Sequence, residues 1–201
     1  MVILLCEKTK IMRTFIIVLI LIFSFKSWSK AGDISSFEIE GISINKSALD
    51  FMLKNEITSN TIPYFESKKS YYIVGIVNNL KLYDRVEIYL KANDNNYKIK
   101  SINAGIIIDD LENCLKQKKI IVNDLDKIFS NVKKMSGSKK HESDPSGKSI
   151  QYIDQYNLDF PNHIRVECTQ FSNEIINSGL ATNSLNVVVM TKEINDWVAG
   201  G

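Results

Sequence analysis

The uncharged, almost wholly apolar run from Phe15 to Phe25, 11 residues long, constrains this chain more than any other feature. Arg13 precedes it, and Ser29-Lys30-Ala31 follows, with small residues three and one places before a cut after Ala31. A basic start, an apolar centre and small residues at the cut are the three parts of a secretory signal peptide. What must fold is then expected to be Gly32 to Gly201, and it folds outside the reducing cytosol. The competing reading is a membrane anchor, and length weighs against it. Such a run covers roughly 17 Å as a helix, whereas a bilayer core needs about 30 Å. Lys26 and Lys30 close the run, and Met12 is a simpler start for the signal than Met1. Cys6 lies ahead of the apolar run, not just after it where a lipid-modified cysteine would sit.

Removing residues 1–31 changes the charge. The whole chain has 25 basic and 23 acidic residues, and the signal takes away Lys8, Lys10, Arg13, Lys26 and Lys30 against Glu7. The expected product carries 20 basic against 22 acidic residues, a net charge of −2 over 170 residues. That length suits one ordinary domain. Mixed, nearly balanced charge gives no electrostatic basis for holding nucleic acid or an anionic membrane surface. No transmembrane span is expected after cleavage, because no second apolar stretch of spanning length follows.

Only Cys114 and Cys168 survive the cut. Two nearby thiols in an oxidising compartment are expected to close, so the sequence predicts a Cys114–Cys168 disulfide. Cys114 falls on the apolar stripe of a predicted helix and Cys168 on the apolar face of a predicted strand, so both can enter one core.

Alternation predicts a first strand at Phe37 to Ile44, with Glu38 and Glu40 facing water. A helix is expected next, capped by Asn45 or Ser47, with Leu49, Met52, Leu53 and Ile57 buried and Pro63 ending it. Tyr71 to Val77 and the alternation of Val86, Ile88 and Leu90 predict two strands. Asn93 to Asn96 is a turn cluster from which a further strand folds back at Tyr97. Asp109 or Asp110 is expected to cap a long helix striped by Leu111, Cys114, Leu115, Ile121, Val122, Leu125, Ile128, Phe129 and Val132, leaving Lys116, Lys118 and Lys119 in water. Lys133 to Ser149 is polar and small and reads as a surface loop, mobile over 134–149. Strands are expected at Ile150 to Phe160, Ile164 to Phe171 and Leu185 to Thr191, with Ser172 to Asn183 irregular. The result is one α+β domain, 32–201, with a mostly antiparallel sheet packed on two helices. Its order allows two helix-plus-three-strand halves.

Four segments carry a resemblance: FEIEGISINKSALDFM at 37–52, NDNNYKI at 93–99, Ser146 to Ser149, and TKEINDW at 191–197. Together they resemble a group of small exported proteins of marine alphaproteobacteria that has no assigned function. The likeness covers nearly all of the mature chain, including the placement of the two cysteines. The chain departs from the group at Asn45-Lys46, where the group tends to have glycine and an acidic residue. The resemblance implies export and a single domain and supplies no catalytic residue. The strand-and-helix opening also resembles small envelope domains of the outer-membrane assembly lipoprotein type, by fold alone.

Motifs that suggest chemistry are few. Gly147-Lys148-Ser149 ends like a phosphate-binding loop, yet Glu142 stands where the first glycine belongs and a strand, not a helix, follows. His141, with Glu142 and Asp144 nearby, is a weak metal-ligand set. His163, Arg165 and Glu167 share one strand face, expected to be polar and solvated, and are candidate contacts for a ligand or partner. Tyr89 alternates onto the face of Glu87 and Lys91, where an aromatic ring can anchor a partner. The residues predict no catalytic set, no metal and no cofactor. The expected function is a non-enzymatic binding or interaction module, periplasmic or secreted, whose partner is an envelope protein or a small ligand. The alternatives are a small hydrolase using His163 or His141 with a carboxylate, and a structural envelope or assembly protein that pairs through a strand edge.

Overall fold

The computed structural model describes residues 34–62, 70–158 and 162–199; the expected signal peptide, Pro63, Phe160 and Pro161 lie outside them. After a 3-10 turn at Ile34–Ser36 come β1 (Glu38–Ile39), β2 (Ile42–Ser43), a second 3-10 turn (Ala48–Asp50), α1 (Lys54–Ser59), β3 (Thr61–Ile62), β4 (Tyr71–Ile76), β5 (Arg85–Lys91) and β6 (Ile99–Ile107). Then follow α2 (Leu111–Ile128), β7 (Lys133–Lys140), β8 (Ile150–Asn157), β9 (His163–Gln170), α3 (Asn173–Asn177), β10 (Ser184–Met190) and α4 (Lys192–Ala199). β1 and β2 form a small hairpin; the other eight strands make one antiparallel sheet in the order β3-β4-β5-β6-β10-β9-β8-β7. The fold is mixed α+β, as the alternation requires.

Period-2 side-chain alternation separates the two faces of this sheet. One face carries Val86 and Ile88 of β5, Ile102 and Ala104 of β6, Leu185, Val187 and Val189 of β10, and Ile164, Val166 and Cys168 of β9, all buried. α2 lies on it. Asp110 starts α2 by accepting hydrogen bonds from the backbone N–H groups of Glu112 (3.2 Å) and Asn113 (3.0 Å), which would otherwise lack partners at a helix start. Cys114, Ile121, Val122 and Leu125 fill the stripe, and each such side chain removed from water contributes roughly 1.5–3 kcal/mol. Cys114 is bonded to Cys168, with Cα atoms 6.0 Å apart, so the helix is covalently tied to the middle of β9. Tyr156 of β8 donates to the Val122 carbonyl (3.0 Å) and to Asp126 (2.7 Å), a second tie.

Four expectations need correction. The predicted first strand is a tight hairpin, because Glu40 and Gly41 both have positive φ (54° and 82°) and form a turn that breaks it in two. The predicted first helix is a 3-10 turn followed by six helical residues. Leu53 takes an extended conformation at the start of α1, and Leu49, Phe51 and Leu53 stay exposed. Lys133–Lys140, expected within a mobile loop, is β7, exposed along its whole length and paired with β8 without a break. The chain after it, 141–149, is a turn held by the buried Asp144, which accepts from the Ser149 N–H (3.0 Å), the Ser149 hydroxyl (2.5 Å) and the Ser146 N–H (2.9 Å). Lys118, expected in water, is buried against Asp154 of β8 at 2.5 Å.

The opposite face is covered differently. α4, which the sequence reading missed, lies over its β4–β6 and β10 part, where Ile194 packs on Val188 and Met190 and Trp197 sits 5.3 Å from the Tyr71 ring and 6.4 Å from Tyr89. Glu193 fixes its first turn by accepting from the Tyr71 hydroxyl (2.6 Å) and pairing with Lys91 (3.2 Å) and Lys100 (3.0 Å). Burial pushes the Glu193 carboxyl up, but those three donors outweigh it and hold the group down at about 2.

Candidate functional site

The alternation that placed His163, Arg165 and Glu167 on one face is the geometry of β9, and the face is the one α4 partly covers. It is less wet than the sequence suggested: His163 and Glu167 are only 4% and 6% exposed. Neighbouring strands explain this. Asn186 of β10 pairs in register with Glu167 on one side, and on the other Gln151 of β8 donates to Glu167 at 3.4 Å. Arg165 lies 3.0 Å from Glu167. Across β10 and β6, Arg85 donates to Asn186 (3.2 Å) and approaches Glu87 (4.0 Å), which accepts from Asn103 (2.9 Å). Gly105 makes room for this, because a Cβ there would come within 2.7 Å of Asn186 Oδ1 and 2.9 Å of Arg85 Nε. Arg85 and Arg165 each have a carboxylate on the same face, although Arg85 Nε, Arg165 Nε and Asn103 Oδ1 are buried without a hydrogen bond. Tyr89 lies on it too, half-buried, with its ring 6.4 Å from that of Trp197.

The other residues singled out by sequence scatter. His141 packs its ring 4.7 Å from Phe171 and takes a 2.7 Å contact with the Ser143 hydroxyl; burial lowers its pKa. Glu142 is drawn to Lys139 (2.8 Å), and Asp144 turns into its own loop, where the Ser149 hydroxyl bond above all holds its carboxyl far below the usual range. Among the described residues no carboxylate is hydrogen-bonded to the His141 ring as a general base requires, and the three do not converge on one point. Among the described residues no group of three His, Cys, Asp or Glu side chains is placed to hold a metal ion. Gly147 has φ of 68° in a turn, and Lys148 pairs with Glu174.

A concave site lies at the opposite end of the sheet from β7. The β1–β2 hairpin, the Phe51–Met52 segment with α1, and the chain from β4 into the Asn78-Asn79 turn enclose a groove of about 310 Å³. Its apolar wall is Ile42, Phe51, Met52, Ile76, Val77 and Leu80, and its polar edge is Asn60, Asn78 and Asn79. Two walls are locked together by one residue. The Glu40 carboxylate accepts the consecutive backbone N–H groups of Lys81, Leu82 and Tyr83, at 2.7–3.2 Å. Such a run of N–H groups is an anion nest, here filled by the chain's own side chain. The second acid of the groove, Glu56, caps α1 by accepting from the Leu53 N–H at 2.6 Å. Both carboxylates are therefore occupied, and the groove offers an apolar wall with amide groups beside it. Phe51 and Val77 stand 42% and 68% exposed at its mouth, surface that burial would stabilise. Sequence reasoning missed this site because Glu40 was placed on a continuous strand. Gly41 inside that pattern was the signal of a turn.

Comparison with family descriptions, with characterised proteins and with solved structures yields no match for this chain. Among the described residues no helix is long and apolar enough to cross a membrane.

Proposed function

We propose that this chain is an exported binding module of the cell envelope, periplasmic or secreted after loss of residues 1–31, whose ligand is a small uncharged amphiphile seated in the Glu40-braced groove. The observation that carries this reading is the groove itself: a preformed concavity of about 310 Å³, at the lower end of the range of small-molecule sites, with an apolar wall, an amide edge and no uncommitted charge. A net-charged ligand would have no partner there. An apolar body with a hydroxyl or amide end would cover Phe51 and Val77 and hydrogen-bond to Asn60, Asn78 or Asn79. Export is supported by the signal pattern, and the buried Cys114–Cys168 bond suits a compartment where thiols oxidise. Membership of the group of small exported marine alphaproteobacterial proteins belongs to the same proposal. So does a two-half build, supported by the mirrored strand order in which β3-β4-β5-β6 meet β10-β9-β8-β7; each half would then hold a helix and four strands, not three.

NMR titration with octyl glucoside below its micelle concentration tests the ligand reading. Amide shifts concentrated at Ile42, Phe51, Ile76 to Leu80 and Asn60, and abolished by Phe51→Asp with Val77→Asp, are expected. Shifts spread over the surface, or unchanged by that double substitution, would contradict it.

A further inference from the structure

The two edges of the large sheet are unlike. At one edge β3 is described over Thr61–Ile62, and Pro63, which has no N–H to offer a further strand, follows it in the sequence. β7 is eight residues, about 26 Å, all exposed, and terminal in the strand order. It has no proline and pairs with β8 from Lys133↔Asn157 to Lys140↔Ile150 without a register shift. The direction of its backbone groups can be read off. The His141 N–H donates to the Ser149 carbonyl at 2.8 Å in the same register, so His141 and every second residue before it face β8. Lys134, Ser136, Ser138 and Lys140 therefore turn both N–H and C=O away from the sheet, an unfilled ladder.

Charge decides what fits there. The strand reads Lys-Lys-Met-Ser-Gly-Ser-Lys-Lys. In a second copy aligned antiparallel, outward residues can pair only with outward residues, so Lys134 would face Lys140 and Ser136 would face Ser138. Parallel alignment also sets lysine against lysine, so self-pairing is repelled in both directions. Two of the lysines have carboxylates at hand, Lys134 with Asp126 (2.7 Å) and Lys139 with Glu142 (2.8 Å). Among the described residues Lys133 and Lys140, at the two ends, have no carboxylate within 4.0 Å.

From this juxtaposition we infer that β7 is a docking edge for an extended peptide segment of another protein, acidic at both ends and small or β-branched in the middle, which adds to the sheet as a ninth strand. The backbone ladder supplies the affinity and the terminal lysines select the charge. This edge lies across the sheet from the Glu40 groove and does not depend on how that groove is used.

The test uses the oxidised protein as the cell delivers it and a capped octapeptide of sequence EETVTVEE. The account expects slowed hydrogen exchange, by at least tenfold, at the amides of Lys134, Ser136, Ser138 and Lys140. The peptide KKTVTVKK should bind at least tenfold more weakly. Ser138→Pro removes an outward N–H that no strand uses, so amide shifts of α2 and β9 should stay in place while peptide binding is lost. Lys133→Glu with Lys140→Glu should reverse the preference between the two peptides. Equal binding of both peptides, protection absent from the four outward amides, or a dimer forming through β7 in light scattering would each overturn the inference. Octyl glucoside binding at the groove should be unaffected by Ser138→Pro, which separates failure here from failure there.

Discussion

The two faces of the eight-stranded sheet are built by different means. The α2 face is dry: aliphatic residues from β5, β6, β9 and β10 meet one amphipathic helix, and a disulfide fixes helix to strand. The α4 face has a small apolar patch under a short C-terminal helix and, beside it, a row of paired charges and amides. The difference teaches where the stability of this molecule resides. Apolar burial is nearly proportional to area and tolerates no water, so the α2 face holds the fold together. Satisfied polar pairs contribute little net, so the α4 face can vary with smaller consequence.

Substitutions that open the dry face should cost most. Cys114→Ala with Cys168→Ala is expected to lower unfolding free energy by about 4 kcal/mol, since the bond closes a sequence separation of 54 residues. Urea denaturation measures it, and a loss near zero would mean α2 is held without the crosslink. Asp154→Ala comes next, at about 3 kcal/mol, because it strands the buried Lys118 ammonium. Replacing both partners, Lys118→Met with Asp154→Leu, should recover most of that loss; an equal loss in both variants would show that packing and not charge is at stake.

On the α4 face the effects should be smaller and more local. Ile194→Ala is expected to cost about 2 kcal/mol, read chiefly as faster amide exchange in Lys192–Ala199 with β9 unaltered. Acid should act on the same helix. The Glu193 carboxyl sits at about 2 in the fold, below its ordinary 4.5, so its contribution is complete above about 5 and is lost as pH falls toward 2. The Trp197 indole NMR signal should report α4 leaving over that window, and Glu193→Gln should remove the pH dependence. Gly105→Ala should be mildest, about 1 kcal/mol, since the added Cβ meets the movable ends of Arg85 and Asn186. A larger loss there would make the polar face more rigid than its pairwise contacts imply.

Legibility followed the same division. β5 and β9 announced themselves because a polar side alternates with a dry one, β4 because it is a nearly continuous apolar run, β6 because a turn cluster precedes it, and α2 because its stripe recurs every three to four residues. β7 gave no such pattern, since water reaches both of its faces and alternation has nothing to encode. The segment before β3 misled for the opposite reason. Leu49, Met52, Leu53 and Ile57 have helical spacing, but Leu53 is extended and its neighbours line a surface groove. α4 had a readable signal in Ile194, Trp197 and Val198, which a helix of only eight residues made easy to pass over. At the site, the shared face of His163, Arg165 and Glu167 was legible from period alone. Their burial was not, because it depends on Asn186 and Gln151, which only the strand order brings alongside. The groove depended on the turn at Glu40-Gly41 and on three N–H groups about 40 residues away, a contact no local pattern encodes.

The dry face is closed by the Cys114–Cys168 crosslink, and the central proposal is that this bond forms after export. Intact-mass analysis of protein taken from the envelope or medium and treated with maleimide before any reductant tests it most directly. The account predicts a chain beginning at Gly32, two hydrogens lighter than its reduced mass and carrying no maleimide. A chain that keeps residues 1–31 and takes up label at Cys114 and Cys168 would contradict it.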